Sequence, residues 1–309
     1  MRSSRRQLGN GRESHGQPGV GLSGAIRAVS RLWLIAAAVL FSTGGAAIKA
    51  VSVTAWQVAS FRSGLAALAL FLLLPEARRG WNRKAAVVGL AYAVMLILFV
   101  LATRTTTAAN AIFLQSTSPL YLILLGPWLL REPIRRGDIL LILALGLGIG
   151  LFFIGAEKPL ATAPNPFLGN ILAAASGVAW ALTIGGLRWL ARERKDGGAA
   201  MTTVAIGNAL AFVLALPMAL PLEPVSLRDA AVLAYLGVFQ IGLAYVCLTR
   251  GLRRVPAFEA STIVLLETAL NPCWAWLVHG EKPGRLALAG GAVIVAATVV
   301  NTWWRTRRG

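Results

Sequence analysis

The sequence predicts an all-α membrane protein in which ten transmembrane helices form two inverted five-helix repeats, with both termini in the cytoplasm. Three observations carry this prediction. Hydrophobic residues make up 57% of the 309 positions and charged residues 14%, whereas a soluble domain carries about 25% charged residues. Ten apolar segments are each long enough to cross a bilayer. Two Pro-marked turns, Arg131-Glu132-Pro133 and Gly280-Glu281-Lys282-Pro283, stand 149 residues apart between such segments.

The apolar segments are predicted to be helices because their length matches that of a helical span. About 20 residues of helix cross the ~30 Å hydrocarbon core. Their polarity is irregular and several carry Gly, Ser and Thr at helical spacing, which allows close helix packing and differs from the alternating ~10-residue strands of a barrel. The predicted spans are Leu32–Val51, Ala55–Leu74, Ala85–Ala102, Thr107–Leu130, Ile139–Gly155, Leu168–Leu190, Met201–Leu222, Ala230–Leu248, Ala257–Val278 and Leu286–Trp304.

The distribution of basic residues sets the predicted orientation. With a cytoplasmic N-terminus, 23 of the 30 Lys and Arg residues lie inside and six lie outside, while Arg62 falls within a span. Cytoplasmic loops carry such an excess of positive charge. Five spans per repeat is an odd number, so the second repeat enters the membrane from the opposite side. The Glu132 turn is therefore expected in the cytoplasm and the Glu281 turn outside.

These spans divide the chain into five predicted regions. The N-terminal tail is rich in Arg, Gly, Ser and Gln and lacks the apolar stretch of a signal peptide, so it is expected to be disordered. The regions are a basic cytoplasmic tail (1–31), a first five-helix repeat (32–155), an external linker (156–166), a second five-helix repeat (167–304) and a cytoplasmic C-terminal tail (305–309).

Inverted repeats indicate a transporter, because they place a small-molecule substrate site near the bilayer midplane. The net charge of +18 lies in short clusters between spans, so nucleic acid is not an expected partner. Cys247 and Cys273 lie in apolar segments, and His15 and His279 are far apart, so no disulfide, metal site or catalytic triad is expected. No Gly-rich phosphate-binding loop with Lys-Ser/Thr appears. The sequence predicts neither an enzyme nor a cofactor.

Ionisable residues within spans are the first candidates for the substrate pathway, because each costs at least ~2.5–3.5 kcal/mol to insert. Glu267 lies roughly 15 Å into the ninth span at 1.5 Å per residue, where it suits proton coupling, recognition of an amine, or a structural hydrogen bond. Arg62 in the second span suits binding of a substrate carboxylate or neutralisation of Glu267. Glu259, nearer the cytoplasmic end, is a second candidate for coupling, with simple solvation as the alternative.

Neutral polar and aromatic residues within spans form a second group of candidates. Asn110 and Gln115 point about 140° apart on one helix, and Gln115 is preferred because it lies deeper. Trp180 lies far from either interface, where it can stack on substrate or pack. The remaining candidates are Asn208 and Asn271, which either line a cavity or bridge helices, and Trp56 with Gln57, read as an interfacial anchor.

Several short motifs, taken in order, resemble the EamA repeats of the drug/metabolite transporter superfamily. They are Phe61-Arg62, Arg104-Thr105-Thr106-Thr107-Ala108-Ala109-Asn110-Ala111, Pro119, Glu132, Gly169-Asn170-Ile171-Leu172, Ala179-Trp180-Ala181, Arg254-Val255-Pro256-Ala257, Leu266-Glu267, Asn271-Pro272 and Gly280-Glu281-Lys282-Pro283. The resemblance covers about Leu32 to Trp304. It implies a ten-helix carrier of the bacterial inner membrane, often an exporter of amino acids or other metabolites. Two departures are Thr268, where a proline is expected after Glu267, and the inserted Lys282.

The sequence therefore predicts a multi-pass secondary transporter of the bacterial inner membrane that exports amino-acid-like solutes by alternating access. Coupling to protons, exchange of substrates, or neither, stays open, as does the choice between monomer and homodimer. One alternative is a broad exporter of apolar cations or toxic compounds. A membrane scaffold or receptor that transports nothing is the other.

Overall fold

The computed structural model describes residues 19–129, 132–134, 136–154, 158–193, 199–253 and 255–308. Within these ranges the regular structure is helical, apart from one isolated bridge between Leu160 and Ala163. The helices are α1 Gly19–Ser42, α2 Gly44–Ala50, α3 Ala55–Leu73, α4 Arg83–Thr105, α5 Ala108–Gln115, α6 Ser118–Leu129, α7 Arg136–Ile154, α8 Pro166–Glu193, α9 Ala199–Ala215, α10 Leu227–Ala234, α11 Ala244–Leu252, α12 Ala257–Val264, α13 Leu266–His279 and α14 Arg285–Arg308. A π-helical segment, Tyr235–Leu243, joins α10 to α11. The all-helical prediction is confirmed for the described residues.

Eight helical segments in the described part of the chain are long and apolar enough to cross a membrane. The seventh predicted span contains only a shorter apolar helix, Ala200–Ala215. The ninth is divided at Leu265 into α12 and α13. The count of ten spans and the cytoplasmic termini therefore stay predictions. The eight segments are Ala28–Ala50, Ala55–Leu73, Arg83–Thr105, Ala108–Trp128, Gly137–Ile154, Pro166–Ala191, Leu227–Leu252 and Arg285–Trp304.

Both chain ends are more helical than the sequence predicts. Helix α1 begins at Gly19, so residues 19–31 of the predicted disordered tail are helical. The apolar residues Leu22, Ile26 and Val29 recur there at helical spacing. The prediction of disorder follows the polar composition of the whole tail and overlooks this spacing. Residues 1–18 of that tail lie outside the described residues. At the other end α14 continues to Arg308, through most of the segment predicted as a C-terminal tail.

Corresponding helices of the two repeats lie against each other. Helix α3 contacts α9, α5 contacts α13, and α7 contacts α14, which joins spans two and seven, four and nine, and five and ten. The contact of α4 with α8 joins spans three and six. With five spans per repeat, span three corresponds to span eight and span six to span one, and the contact of α1 with α11 joins that second pair. Each of these contacts joins a helix of the first repeat to a helix of the second. The centre of the bundle is thus built from both repeats.

Side-chain caps fix where several helices begin. Thr54 and Gln57 form a reciprocal capping box at the start of α3, Asn82 accepts from the amide of Ala85 at α4, and Thr107 accepts from the amide of Asn110 at α5. Gln57, predicted as an interfacial anchor, is fully buried; its amide also donates to the carbonyl oxygen of Glu223 at 3.0 Å. Its polar groups are thus used in joining α3 to the segment before α10.

Glycines allow α7 and α14 to approach closely. A Cβ atom added to Gly290 would lie 2.7 Å from the carbonyl oxygen of Gly148, and one added to Gly148 would lie 2.7 Å from Ile294. Gly146 and Gly150 have no such neighbour within 4 Å. Of the three glycines in this part of α7, Gly148 is therefore the one that lies against α14.

Replacing Gly290 tests this contact. Gly290→Ala should lower the free energy of unfolding by about 1–3 kcal/mol, because the added methyl group overlaps the α7 backbone. Gly146→Ala, on the same helix pair but with open space around it, is the control. It should be neutral or stabilising, since alanine favours helix. Thermal unfolding in detergent measures both, and equal stability of the two variants would contradict the close approach.

Candidate functional site

Two broken helices meet at the interface between the repeats. The first break, at Ser116 and Thr117, separates α5 from α6, and the second, at Leu265, separates α12 from α13. Leu265 follows Ser116 by 149 residues, the same distance that separates Glu281 from Glu132. The hydroxyl groups of Ser116 and Thr268 lie 3.3 Å apart, so the two breaks are in direct contact. Such paired interruptions commonly border substrate sites in transporters with inverted repeats.

Proline chemistry explains the first break and part of the second. Pro119 is the second residue of α6, where its missing amide and fixed φ favour a helix start. Helix α13 has no proline at its start, and no side chain caps it. Pro272 lies inside α13 and cannot donate a hydrogen bond to the carbonyl of Thr268, which loosens the first turn.

Arg62, on α3, is a buried cation that forms no salt bridge with the described residues. Its side chain is 3% exposed, and neither Nε nor Nη1 has a hydrogen-bond partner. Its charge interacts with the side chains of Tyr92, Tyr245 and Glu267, which come from α4, α11 and α13. A buried guanidinium is stable only if other groups supply hydrogen bonds or opposite charge. Two donors of the Arg62 guanidinium are therefore left without an acceptor among the described residues.

Glu267 lies in the first turn of α13 and is close enough to Arg62 for the two charges to interact. No nitrogen–oxygen distance between their side chains is as short as 4.0 Å. Among the described residues Glu267 has no hydrogen-bond partner, and it is less buried than Arg62. The two charges thus interact without forming an ion pair with each other.

Tyr92 and Tyr245 lie in contact with each other and close to Arg62. The hydroxyl groups of Tyr92 and Tyr245 are hydrogen-bonded at 2.9 Å in a buried environment. Trp180 lies 6.0 Å from the ring of Tyr92, and Phe41 meets Tyr245 edge-on at 5.2 Å. The sequence interpretation missed both tyrosines. The sequence could have indicated them, because a tyrosine in the middle of a span needs a hydrogen-bond partner for its hydroxyl.

Asn208 and Gln115 lie at the edges of this cluster. Asn208, on α9, is fully buried, lies near the Tyr92 hydroxyl, and donates to the carbonyl oxygen of Val204, while its own side-chain oxygen has no partner. Gln115 ends α5, is half-buried, and donates to the sulfur of Met95 at 3.2 Å. A thioether is a weak acceptor, so the amide of Gln115 can exchange it for a stronger partner.

Three other candidates lie apart from the cluster. Asn110 donates to the side-chain oxygens of Thr106 and Asn170, so it ties α5 to the end of α4 and to α8. Glu259 pairs with Arg31, in a contact where the two side chains are 33% and 52% exposed. Asn271 is buried; its side-chain oxygen lies where a Cβ atom of Gly45 would stand, and neither of its polar atoms has a partner.

A separate apolar cavity of about 350 Å³ lies between α2, α10 and α13. Its polar boundary is the hydrogen bond between the hydroxyls of Thr43 and Tyr235, at 2.8 Å, and Trp274, whose indole donates to Ser42 at 2.9 Å. Neither Arg62 nor Glu267 lines this cavity. It is therefore distinct from the charged cluster.

Comparison with known proteins connects this geometry to a family. Residues 29–154 and 167–303 each match the EamA-like transporter family. Curated relatives include the pseudopaline exporter CntI of two Pseudomonas aeruginosa strains, which is 27% identical over 90% of this chain and 96% of its own. An uncharacterized transporter of Clostridium kluyveri is 24% identical over 69% of each chain. A solved crystal structure with 17% identity has a TM-score of 0.57 and covers 91% of this chain and 98% of its own, which supports the fold.

Removing one hydroxyl tests the tyrosine pair. Tyr92→Phe should lower the free energy of unfolding by about 1–3 kcal/mol, because the Tyr245 hydroxyl then lacks a buried partner. Tyr121→Phe is the control, since the Tyr121 hydroxyl makes no hydrogen bond in the described part of the chain. Equal melting temperatures for the two variants would show that the Tyr92 hydroxyl contributes nothing.

Proposed function

The chain belongs to the EamA-like transporter family, and from the geometry of its charged cluster we propose that it exports amino-acid-like solutes from the cytoplasm by alternating access. The proposed location is the bacterial inner membrane, where the protein acts as a multi-pass secondary transporter. The observation that carries the choice of solute is the presence of two opposite charges, Arg62 and Glu267, that interact without forming an ion pair.

An α-amino acid complements this arrangement. Its carboxylate can accept from the unpartnered Nε and Nη1 of Arg62, and a guanidinium presents these donors in the fork that a carboxylate requires. Its ammonium group can donate to the carboxylate of Glu267. Arg62 and Glu267 then each gain a partner of opposite charge. Bound solute thereby removes much of the cost of holding charge in a low-dielectric bundle.

Aromatic and amide side chains supply the rest of the proposed site. Trp180 and Tyr92 offer ring surfaces beside Arg62, suited to an apolar side chain of the solute. The side-chain oxygen of Asn208 and the amide of Gln115 are available for its polar atoms. These four residues come from α8, α4, α9 and α5, so solute binding would contact both repeats.

The broken helices supply the proposed moving parts. Short half-helices that meet at Ser116 and Thr268 can shift as units, because no continuous hydrogen-bonded helix crosses the break. Rocking of one repeat against the other around a fixed site gives access from alternate sides. The relatives in Pseudomonas aeruginosa carry the name of an exporter, which supports export as the direction.

We assign proton coupling to Glu267 rather than to Glu259. Glu267 is the acid within the cluster, whereas Glu259 is partly exposed and paired with Arg31 near one end of the bundle. Protonation of Glu267 would remove its attraction for a solute ammonium group. A proton and the solute would then compete for one carboxylate, which is sufficient for antiport.

Transport in proteoliposomes tests the function. Wild type should exchange radiolabelled α-amino acids in counterflow, and an imposed pH gradient should drive their net flux. Glu267→Gln should reduce the pH-driven flux by about 10- to 100-fold, because a charged hydrogen bond to the solute is worth about 1.5–3 kcal/mol. Initial rates of uptake across a panel of amino acids measure the effect.

Glu259→Gln is the matched control, since it makes the same chemical change at an exposed position. It should retain wild-type flux. Full pH-driven flux in a folded Glu267→Gln variant would reduce Glu267 to a structural residue. Transport of lipophilic cations in place of amino acids would favour the broad-exporter alternative, and absence of flux for every solute would favour a scaffold.

A further inference from the structure

A buried ion pair lies at the end of the bundle that is predicted to face outward. Lys49, at the end of α2, places Nζ 2.7 Å from Oε1 of Glu281, in the turn between α13 and α14. The two side chains are only 3% and 2% exposed. Lys49 belongs to the first repeat and Glu281 to the second, so this pair joins the repeats.

The same two side chains also form hydrogen bonds with three backbone groups. Nζ of Lys49 donates to the carbonyl oxygen of Thr106 at 2.8 Å and to that of Thr162. Oε2 of Glu281 accepts from the amide of Ala108, the first residue of α5, at 2.9 Å. The ends of α2, α4 and α13, the start of α5 and the segment before α8 therefore converge on one pair of charges.

The ion pairs at the opposite end of the bundle are exposed to water. The ion pair between Arg253 and Glu76 has side chains that are 69% and 40% exposed, and the Arg31–Glu259 pair is also exposed. Exposed pairs contribute about 0–1 kcal/mol. Of the ion pairs described, the one between Lys49 and Glu281 is thus the one in which both side chains are shielded from water.

The internal repeat identifies the counterpart of Glu281. The two family matches end at residues 154 and 303, 149 residues apart. The same spacing separates Glu132 from Glu281, in the turns that precede the last span of each repeat. Glu132 is exposed in this structure, whereas Glu281 is buried. The two ends of the bundle thus differ although the repeats are equivalent, as expected for a conformation closed at one end.

On this basis, and given the alternating access proposed above, we infer that the Lys49–Glu281 pair closes the external end of the pathway and separates when that end opens. A buried pair suits this role because separation into a water-filled opening restores the hydration of both charges. The regained hydration offsets the lost attraction. Loss of one charge alone would instead leave the other buried without compensation.

Thiol accessibility tests this inference without any solute. The reporter is Ser116→Cys, at the meeting point of the broken helices, in a background where Cys247 and Cys273 are replaced by alanine. A membrane-impermeant maleimide is added to right-side-out or to inside-out vesicles. Lys49→Met/Glu281→Gln should raise the labelling rate in right-side-out vesicles by about tenfold or more, equivalent to about 1.4 kcal/mol. The glutamine keeps an acceptor for the amide of Ala108.

Arg253→Met/Glu76→Gln is the matched control, because it removes the exposed pair at the opposite end by the same chemistry. It should leave the labelling rate in right-side-out vesicles unchanged. The inference is overturned if Lys49→Met/Glu281→Gln leaves labelling unchanged, or if labelling rises equally from both faces, since the second result indicates general loosening. Failure here would leave the proposed amino-acid transport intact, because the assay uses no solute.

A cross-link gives a second test, in which the external end is held closed instead of being opened. Lys49→Cys/Glu281→Cys, in the same background, should form a disulfide when oxidised. A short bifunctional thiol reagent should also link the two cysteines. Linked protein should lose at least about 90% of counterflow, a tenfold reduction, and recover it on reduction when the link is a disulfide. Wild-type counterflow by the linked protein would contradict a pair that has to separate.

Discussion

The buried guanidinium of Arg62 is the constraint on which the centre of this protein depends. A cation held within a membrane bundle is stable only when its surroundings supply acceptors or opposite charge. Arg62 has no hydrogen bond at Nε or Nη1, and the nearest interacting acid, Glu267, lies beyond salt-bridge distance. The tyrosine pair and the broken start of α13 are arranged around that unmet requirement. The zwitterion proposed above as the solute would supply an acceptor for Arg62 and a donor for Glu267.

Two pairs of charged residues, Arg62 with Glu267 and Lys49 with Glu281, have different proposed roles. At the centre, Arg62 and Glu267 interact without forming an ion pair, and this is the arrangement proposed above to bind a solute. At one end, Lys49 and Glu281 are in contact and are supported by the backbone groups of Thr106 and Ala108. The first arrangement gains from a ligand, whereas the second gains from closure of the protein on itself. In a two-repeat bundle these are the two properties that alternating access requires, a site that binds and an end that closes.

The sequence allowed the prediction of features that depend on local cost or on internal repetition. Arg62 and Glu267 were found because a charge within an apolar span is expensive, and the family was found because short motifs recur in order; the family match confirms that resemblance. The tyrosine pair was missed because its two hydroxyls are 153 residues apart, and no sequence pattern records such a contact. The contact between Lys49 and Glu281 escapes prediction for the same reason. Asn110 was read as a possible pathway residue, although its amide joins helices, because a buried asparagine looks alike in both roles until its partners are known.

The most direct test of a site made for opposite charges is a comparison of binding by three related solutes. Isothermal titration of the purified protein would use the α-amino acid with the strongest counterflow, the corresponding amine without its carboxylate, and the corresponding acid without its ammonium group. Opposed charges at Arg62 and Glu267 predict that the amino acid binds at least about tenfold more tightly than either analogue, since each lost charged contact is worth about 1.5–3 kcal/mol. They also predict that Arg62→Gln removes the preference for the amino acid over the amine. Equal binding of the amine and the amino acid by wild type would contradict the account.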